Sequence, residues 1–210
     1  MNWRQIPLGP LQTNCYLYTN GNKECLIIDP GGEAQKLTSI IQQQHLKPLA
    51  ILLTHAHFDH IGAVDEIRNE WKIPVYVHKN EKDWLTNPSL NGSEYFMAGK
   101  IKASEPDHLI KDEGMIEIGN FKLRVFETPG HSPGSVSYYD IQSGIVFSGD
   151  ALFAGSIGRT DLPGGNHETL LKSIHEKLLT LPEETVVLSG HGPDTTIELE
   201  MEGNPFLNGF

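Results

Sequence analysis

Four short apolar segments of this chain are each followed within four residues by histidine or aspartate, and this pattern restricts the fold more than any other feature. The segments cover residues 49–53, 121–127, 144–148 and 185–189. Their length and their content of Val, Ile, Leu and Phe are typical of strands. In layered α/β sheets, functional sites form beyond the carboxyl ends of strands. We therefore expect the side chains that follow these four segments to meet at one edge of the fold.

The first junction is the densest, because the run His55-Ala56-His57-Phe58-Asp59-His60 puts four potential metal ligands into six residues. In an extended segment, residues two apart share a face, so His55 and His57 can converge on one cation. Asp59 and His60 lie where the chain is predicted to turn into a helix, and they point from a different direction. This spacing does not fit the helical His-Glu-x-x-His zinc motif. It favours two cations bound at the two ends of one loop.

Three further ligand candidates follow the other junctions, and each comes directly after a glycine: His131, Asp150 and His191. Glycine allows the backbone to turn sharply at the end of a strand. With the first loop, they make a set of five histidines and two aspartates, which suits two adjacent metal ions that share one carboxylate. Imidazole and carboxylate ligands without thiolate predict zinc, with iron or manganese as alternatives.

The rest of the chain alternates short apolar runs with longer amphipathic ones. Further strands are predicted at 14–19, 24–28, 74–77 and 135–140, and helices at 34–45, 61–71, 79–86 and 167–180. This mixture predicts an α/β (α+β) protein whose sheets are covered by helices. The polar segment 87–114 is predicted to form a loop or lid. Because the chain has 210 residues and no other linker-like segment, we expect a single domain over residues 1–210.

Charge and composition restrict the partners. The formal net charge of −11 disfavours a nucleic-acid partner. No apolar run approaches the ~18 residues that span a bilayer, and the first residues lack the apolar core of a signal peptide, so we expect a cytoplasmic protein without a membrane partner. Cys15 and Cys25 lie in predicted strands and are expected to be buried apolar residues, not a disulfide framework.

The same junctions carry a resemblance to a known family. The run from His55 to His60 and the ligands His131, Asp150 and His191 resemble the metallo-β-lactamase superfamily. The runs Ile28-Asp29-Pro30-Gly31-Gly32, Thr128-Pro129-Gly130-His131-Ser132, Phe147-Ser148-Gly149-Asp150 and Ser189-Gly190-His191-Gly192 are similar to hydroxyacylglutathione hydrolases (glyoxalase II), in the short bacterial form without the carboxy-terminal helical domain. The resemblance implies a four-layer αβ/βα sandwich, with two sheets packed together and helices outside.

The resemblance also implies a role for each ligand. The first metal would be held by His55, His57 and His131, the second by Asp59, His60 and His191, with Asp150 as the bridge. Asp59 could in addition accept the proton of the attacking water. Asp29 matches an aspartate that the family uses to orient a ligand histidine. From the residues alone, Asp29 could equally be a turn residue before Pro30.

The function that the resemblance implies is hydrolysis of a small anionic thioester such as S-lactoylglutathione. Two divalent cations lower the pKa of a bridging water towards neutrality, and the resulting hydroxide attacks the carbonyl. One cation then stabilises the oxyanion. Alternatives on the same fold are a persulfide dioxygenase with one iron, and a lactonase or β-lactamase. The sequence does not determine the oligomeric state.

Arg159 is the strongest basic candidate near the ligands in the sequence. It lies in the glycine-rich segment 155–165, shortly after Asp150. Arginine binds carboxylates with two parallel hydrogen bonds, so Arg159 is predicted to contact a substrate carboxylate. The alternative is that Arg159 pins this segment by pairing with Asp161.

Overall fold

The computed structural model describes residues 1–96 and 99–207. Within it the chain forms two compact units. The amino-terminal unit comprises Met1–Lys111 and Ile118–Phe121, and the carboxy-terminal unit comprises Asp112–Glu117 and the chain from Lys122 onward. Each unit is built around one six-stranded sheet. The single domain expected over residues 1–210 stays a prediction.

The sheet of the amino-terminal unit contains its strands in sequence order. They are β1 (Asn2–Leu8), β2 (Thr13–Thr19), β3 (Glu24–Ile28), β4 (Lys47–Leu52), β5 (Val75–His78) and β6 (His108–Ile110). Strand β2 is antiparallel to both β1 and β3, and β3 to β6 run parallel. The parallel arrangement brings the carboxyl ends of β3 and β4 side by side. Consecutive apolar residues in these two strands are buried, as is usual for strands covered on both faces.

Helices in this unit bury one face each. They are α1 (Ala34–Gln43), α2 (Phe58–Ile61), α3 (Val64–Trp71) and a 3₁₀ helix, Lys79–Trp84. The predicted helix 61–71 is interrupted, because the chain packs tightly at Gly62. A Cβ atom there would lie 2.3 Å from the Gly31 carbonyl oxygen, and the next amide, of Ala63, donates to Pro30 O at 2.9 Å. Two short helices therefore replace one, and the first of them carries Asp59 and His60.

The sheet of the carboxy-terminal unit has the order β14-β13-β10-β9-β8-β7. Its strands are β7 (Gly114–Ile118), β8 (Phe121–Glu127), β9 (Val136–Asp140), β10 (Ile145–Gly149), β13 (Val186–Ser189) and β14 (Thr195–Thr196), and β11 (Leu152–Phe153) with β12 (Ser156–Ile157) forms a separate hairpin. Strand β9 is antiparallel to both β8 and β10, and β13 is parallel to β10. The carboxyl ends of β8, β10 and β13 therefore lie at the same edge of this sheet.

The helices of this unit are α4 (His167–Ser173), which continues as a π-helical turn, Ile174–Leu178, and α5 (Ile197–Gly203). The Asn166 side chain accepts a hydrogen bond from the Thr169 amide at 2.8 Å and so caps α4. Leu170, Ile174 and Leu178 form the buried stripe. The predicted helix 167–180 is thus confirmed, and its last turn is π-helical instead of α-helical. In the part of the chain that the structure describes, no helix is long and apolar enough to cross a membrane.

The predicted strands are all present, with ends shifted by at most two residues. The loop or lid predicted over 87–114 is wrong at its end, because β6 lies there and pairs with β5. A three-residue strand is too short to show a hydrophobic period. Cys15 and Cys25 are buried and free, as expected. Burial raises the pKa of Cys25 to about 12, which keeps this thiol protonated.

Candidate metal centre

The loop after β4 gathers four of the candidate ligands of the amino-terminal unit. Its backbone is extended at His57 and becomes helical at Phe58. The loop therefore has an extended part and a helical part, as its sequence predicts. The ring centroids of His55 and His57 are 4.8 Å apart, and those of His55 and His60 are 4.0 Å apart. Three imidazoles therefore lie together at the carboxyl end of this strand.

Asp29 organises two of these rings from the end of β3. Its Oδ1 accepts the Thr54 amide at 2.8 Å, and its Oδ2 accepts the Thr54 hydroxyl at 2.6 Å. The same Oδ2 is 2.9 Å from His60 Nδ1, and the Thr54 hydroxyl is 3.1 Å from His55 Nδ1. Because both rings use Nδ1 for these contacts, Nε2 is the atom that each can offer to a metal.

The ligand atoms of Asp29, His55 and His60 lie within 4.8 Å of one another. Since both oxygens of Asp29 already accept hydrogen bonds, this geometry favours the orienting role over that of a ligand.

Asp59 is held by Thr13, which lies at the start of β2. The Thr13 hydroxyl donates to Asp59 Oδ2 at 2.7 Å. The same oxygen is 3.5 Å from His60 Nε2, which is too long for a strong hydrogen bond. Two ligand atoms about 2.1 Å from one tetrahedral ion lie about 3.4 Å apart. The separation of these two atoms therefore fits two ligands of a shared cation.

The remaining three ligands lie together in the carboxy-terminal unit, at the shared edge of its sheet. Asp150 Oδ2 is 3.6 Å from His131 Nε2 and 3.5 Å from His191 Nε2. Asp150 and His191 follow the paired strands β10 and β13, and the Gly190 amide donates to Gly149 O at 2.8 Å. One carboxylate oxygen thus lies at metal-ligand spacing from two imidazoles.

The segment after β12 supports these ligands through its backbone. His131 Nδ1 is 2.8 Å from the Arg159 carbonyl oxygen, which leaves Nε2 as the metal-facing atom. The neighbouring Gly158 packs directly on Asp150. A Cβ atom at this glycine would lie 1.8 Å from Asp150 O and 3.1 Å from His131 Cβ. Only glycine allows this approach.

The Arg159 side chain forms a bidentate ion pair with Asp161. Its Nε and Nη2 atoms are each 2.7 Å from a carboxylate oxygen, and both side chains are more than half exposed. Hydrogen bonding to Arg159 lowers the pKa of Asp161 to about 2, and Asp161 raises the pKa of Arg159. The sequence left open whether this arginine pins its segment or binds substrate. The ion pair is the contact that pinning requires, and the contact with substrate stays a prediction.

Sequence reasoning missed three supporting residues, Thr13, Thr54 and Glu81. The carboxylate of Glu81 is fully buried and accepts the Ala56 amide at 2.6 Å, between the first two ligand histidines. It lies in the polar run Lys79-Asn80-Glu81-Lys82, which has the composition of a solvated helix face. Of the three, only Thr54 could have been suspected from the sequence, because it directly precedes the candidate ligand His55.

The family of the chain follows from comparison with known proteins. The model of the metallo-beta-lactamase superfamily matches residues 8–191. The chain belongs to this superfamily. It is 60% identical to the probable metallo-hydrolase YqgX of Bacillus subtilis (strain 168), over 100% of this chain and 99% of that protein. It is 39% identical to the hydroxyacylglutathione hydrolase GloC of Haemophilus influenzae, over 99% of each chain.

Solved structures of the superfamily agree. The chain matches the crystal structure of BLEG-1 B3 metallo-beta-lactamase with a TM-score of 0.98 and 57% identity, over 99% of this chain and 100% of that one. It matches TTHA1623, solved in a di-iron-bound form, with a TM-score of 0.82 and 44% identity, over 97% and 100%. The predicted metallo-β-lactamase fold is therefore confirmed. The chain is a metallo-hydrolase of this superfamily, and its His and Asp clusters indicate divalent metal ions.

Proposed function

We propose that this metallo-hydrolase is a dinuclear thioester hydrolase that acts on a small anionic thioester such as S-lactoylglutathione. The observation that carries the proposal is the number and type of its ligands. Four imidazole or carboxylate side chains lie together in one unit and three in the other. The total of seven candidate ligands exceeds the four that a single structural zinc ion takes. The 39% identity to a hydroxyacylglutathione hydrolase supports the choice of a thioester.

The proposed assignment gives each ion three ligands and one shared carboxylate. In this proposal, His55, His57 and His131 would hold the first ion, Asp59, His60 and His191 would hold the second, and Asp150 would be shared. Zinc is the first choice, and iron or manganese also suits this donor set. The 3.5 and 3.6 Å spacing of the two histidines around Asp150 Oδ2 supports its shared role.

Two bound divalent cations would supply a Lewis acid for the carbonyl oxygen and a water that ionises near neutral pH. The protein side chains prepare for this chemistry. Asp29 and Thr54 hold His60 and His55 with Nε2 available, and Thr13 fixes one oxygen of Asp59. In the proposal, Asp59 is also the group that can accept the proton of the attacking water. A thiolate is a good leaving group, so the chain needs no acid to protonate it.

Arg159 is the proposed contact for a carboxylate at the thiol end of the substrate. The guanidinium is exposed and already holds one carboxylate, that of Asp161, in bidentate geometry. A substrate carboxylate would replace or share this partner. Binding at a position remote from the reacting carbonyl would lower KM more than it would raise kcat.

The deciding experiment combines elemental analysis with assays of the purified protein. We expect two divalent metal ions per chain and hydrolysis of S-lactoylglutathione. The variant His57→Ala should lose metal and hydrolysis and keep its fold by circular dichroism, while the exposed His167→Ala should match the unchanged protein. One iron per chain with oxygen uptake on glutathione persulfide would instead identify a dioxygenase. Full activity of His57→Ala would contradict the ligand set.

A β-lactamase activity is the second candidate, because a structure 57% identical to this chain is named a B3 metallo-beta-lactamase. A β-lactam amide and a thioester carbonyl can both be attacked by a metal-activated water. Hydrolysis of nitrocefin faster than of any thioester would favour this candidate. Hydrolysis of an acyl-lactone alone would favour a lactonase.

A further inference from the structure

The amino-terminal unit contains a cavity of about 310 Å³ that reaches Asp59. Its wall is mainly apolar, and the rings of two wall residues, Phe58 and Phe96, stack with centroids 5.8 Å apart. The volume lies at the lower end of the range of about 300–1,000 Å³ that is typical of small-molecule pockets. We call it the apolar cavity and define it by the side chains of Leu8, Leu11, Phe58, Phe96 and Ile101.

Several polar backbone groups of this wall already have hydrogen-bond partners. The Gly9 amide donates to Glu33 Oε2 at 2.8 Å, and the Phe58 amide donates to the Asn91 carbonyl oxygen at 3.0 Å. The Ile101 carbonyl oxygen accepts the Asn91 side chain at 3.0 Å. A hydroxyl group placed in the cavity would lose its bonds to water and gain few in return, which is unfavourable.

The charges of the lining residues also favour a neutral, apolar ligand. Among the described residues that line the cavity, none carries a positive charge, and Asp59 is the one carboxylate. One oxygen of that carboxylate is held by the Thr13 hydroxyl. An anionic substituent would therefore find no basic side chain to pair with in this wall, whereas a neutral apolar one gains by leaving water.

We infer that the apolar cavity receives the acyl chain of the substrate, and that this chain is neutral and apolar. The inference rests on the proposed function, because Asp59 as a metal ligand sets the scissile carbonyl at this end of the cavity. A cavity of this size has room for an acyl chain of about four to six carbons. S-Lactoylglutathione would then still be hydrolysed, but an apolar acyl group of the same shape as lactoyl would be the better substrate.

Two matched thioesters test the inference directly. Lactoyl and isobutyryl groups differ by a hydroxyl in place of a methyl, and both can be attached to N-acetylcysteamine. With metal-loaded protein, and after division by the rate of each thioester with hydroxide in solution, we expect kcat/KM to be about tenfold higher for isobutyryl. In the series acetyl, butanoyl, hexanoyl, kcat/KM should rise about threefold per methylene. A preference for lactoyl, or no dependence on chain length, would overturn the inference.

Two exposed side chains of the same segment provide a matched pair of variants. Phe96 lines the cavity and Leu90 does not, and they are 44% and 40% exposed, so neither substitution should disturb the core. Phe96→Ala should reduce the ratio of hexanoyl to acetyl kcat/KM at least about fivefold, and Leu90→Ala should leave that ratio unchanged. Equal ratios in the two variants would argue against Phe96 as part of the acyl site.

A binding measurement separates this inference from the proposed reaction. Hexanamide, a neutral mimic of the acyl group, should shift the methyl NMR signals of Leu8, Leu11 and Ile101 in the protein, and acetamide should not. Shifts without thioester hydrolysis would support an apolar subsite while removing the proposed function. Hydrolysis without shifts, and with a lactoyl preference, would leave the proposed function and remove the inference.

Discussion

The two units hold their candidate ligands by different means. In the amino-terminal unit, side chains do this work: Asp29 and Thr54 orient two histidines, Thr13 holds Asp59, and Glu81 binds the loop amide. In the carboxy-terminal unit, backbone does it, through the Arg159 carbonyl oxygen and the close approach of Gly158. Side-chain support can be weakened stepwise by substitution. Backbone support fails only when the close packing itself is blocked.

The largest expected effect is at Gly158, where the comparison is sharpest. In Gly158→Ala the new methyl group cannot fit 1.8 Å from Asp150 O, so the segment must move away from both His131 and Asp150. We expect a loss of about 3 kcal/mol in the free energy of unfolding, with loss of bound metal. Gly203→Ala is the matched control, since nothing lies within 4 Å of a Cβ atom there. Urea unfolding measures the free energy of unfolding of the two variants, and elemental analysis measures their bound metal. A normal metal content in Gly158→Ala would show that backbone packing is not what supports these ligands.

The second largest effect is expected in Asp29→Ala, where the His60 ring loses the group that orients it. This substitution removes the acceptor of His60 Nδ1 and of two Thr54 hydrogen bonds, all of them buried. Loss of a group that orients a metal-ligating histidine typically lowers metal affinity about 10- to 100-fold. Competition with a chelator measures the dissociation constant. The exposed Asp112→Ala, which is not near these rings in the sequence, provides the control. Unchanged affinity in Asp29→Ala would mean that the ring positions are set by packing alone.

A smaller effect is expected at Glu81, whose contact is with backbone and not with a ring. Glu81→Gln keeps a side-chain oxygen for the Ala56 amide, whereas Glu81→Ala leaves this buried amide without its 2.6 Å partner. We expect Ala to cost about 2 kcal/mol of stability and Gln about half of that. Metal affinity should fall in the same order. If Gln and Ala were equally damaging, the negative charge and not the hydrogen bond would be the feature that matters.

The difference between the units also explains how much the sequence could predict. The ligands were recognisable because a glycine at the end of β10, and one directly after β13, immediately precede Asp150 and His191. Their side-chain supporters were not, because they act over long sequence distances. Thr13 lies 46 residues from Asp59, and no local pattern connects them. The same holds for the apolar cavity, which joins Leu8 to Ile101.

Edge strands were the other omission from the sequence prediction. Strand β1 carries Arg4, Gln5 and Pro7 among its apolar residues, because several of its side chains face solvent at the edge of the sheet. Its exposed positions alternate only in part with buried ones. Hydrophobic periodicity is weak in such a strand, whereas the consecutive buried residues of β3 and β4 made those strands visible.

The smallest expected effect is on stability at Arg159, and it separates the two roles of this residue. Its ion pair with Asp161 is exposed, so Arg159→Ala should leave the melting temperature nearly unchanged. Because the pKa of Asp161 is lowered from its ordinary value of 3.8, the ion pair is fully formed above pH 3.8. It is lost as the pH falls towards about 2. At neutral pH the expected change is therefore a several-fold rise in KM for an anionic thioester, with kcat less affected. The KM of a neutral thioester should not change. If both substrates responded equally, Arg159 would act by holding its segment in place, and backbone support in this unit would depend on a side chain after all.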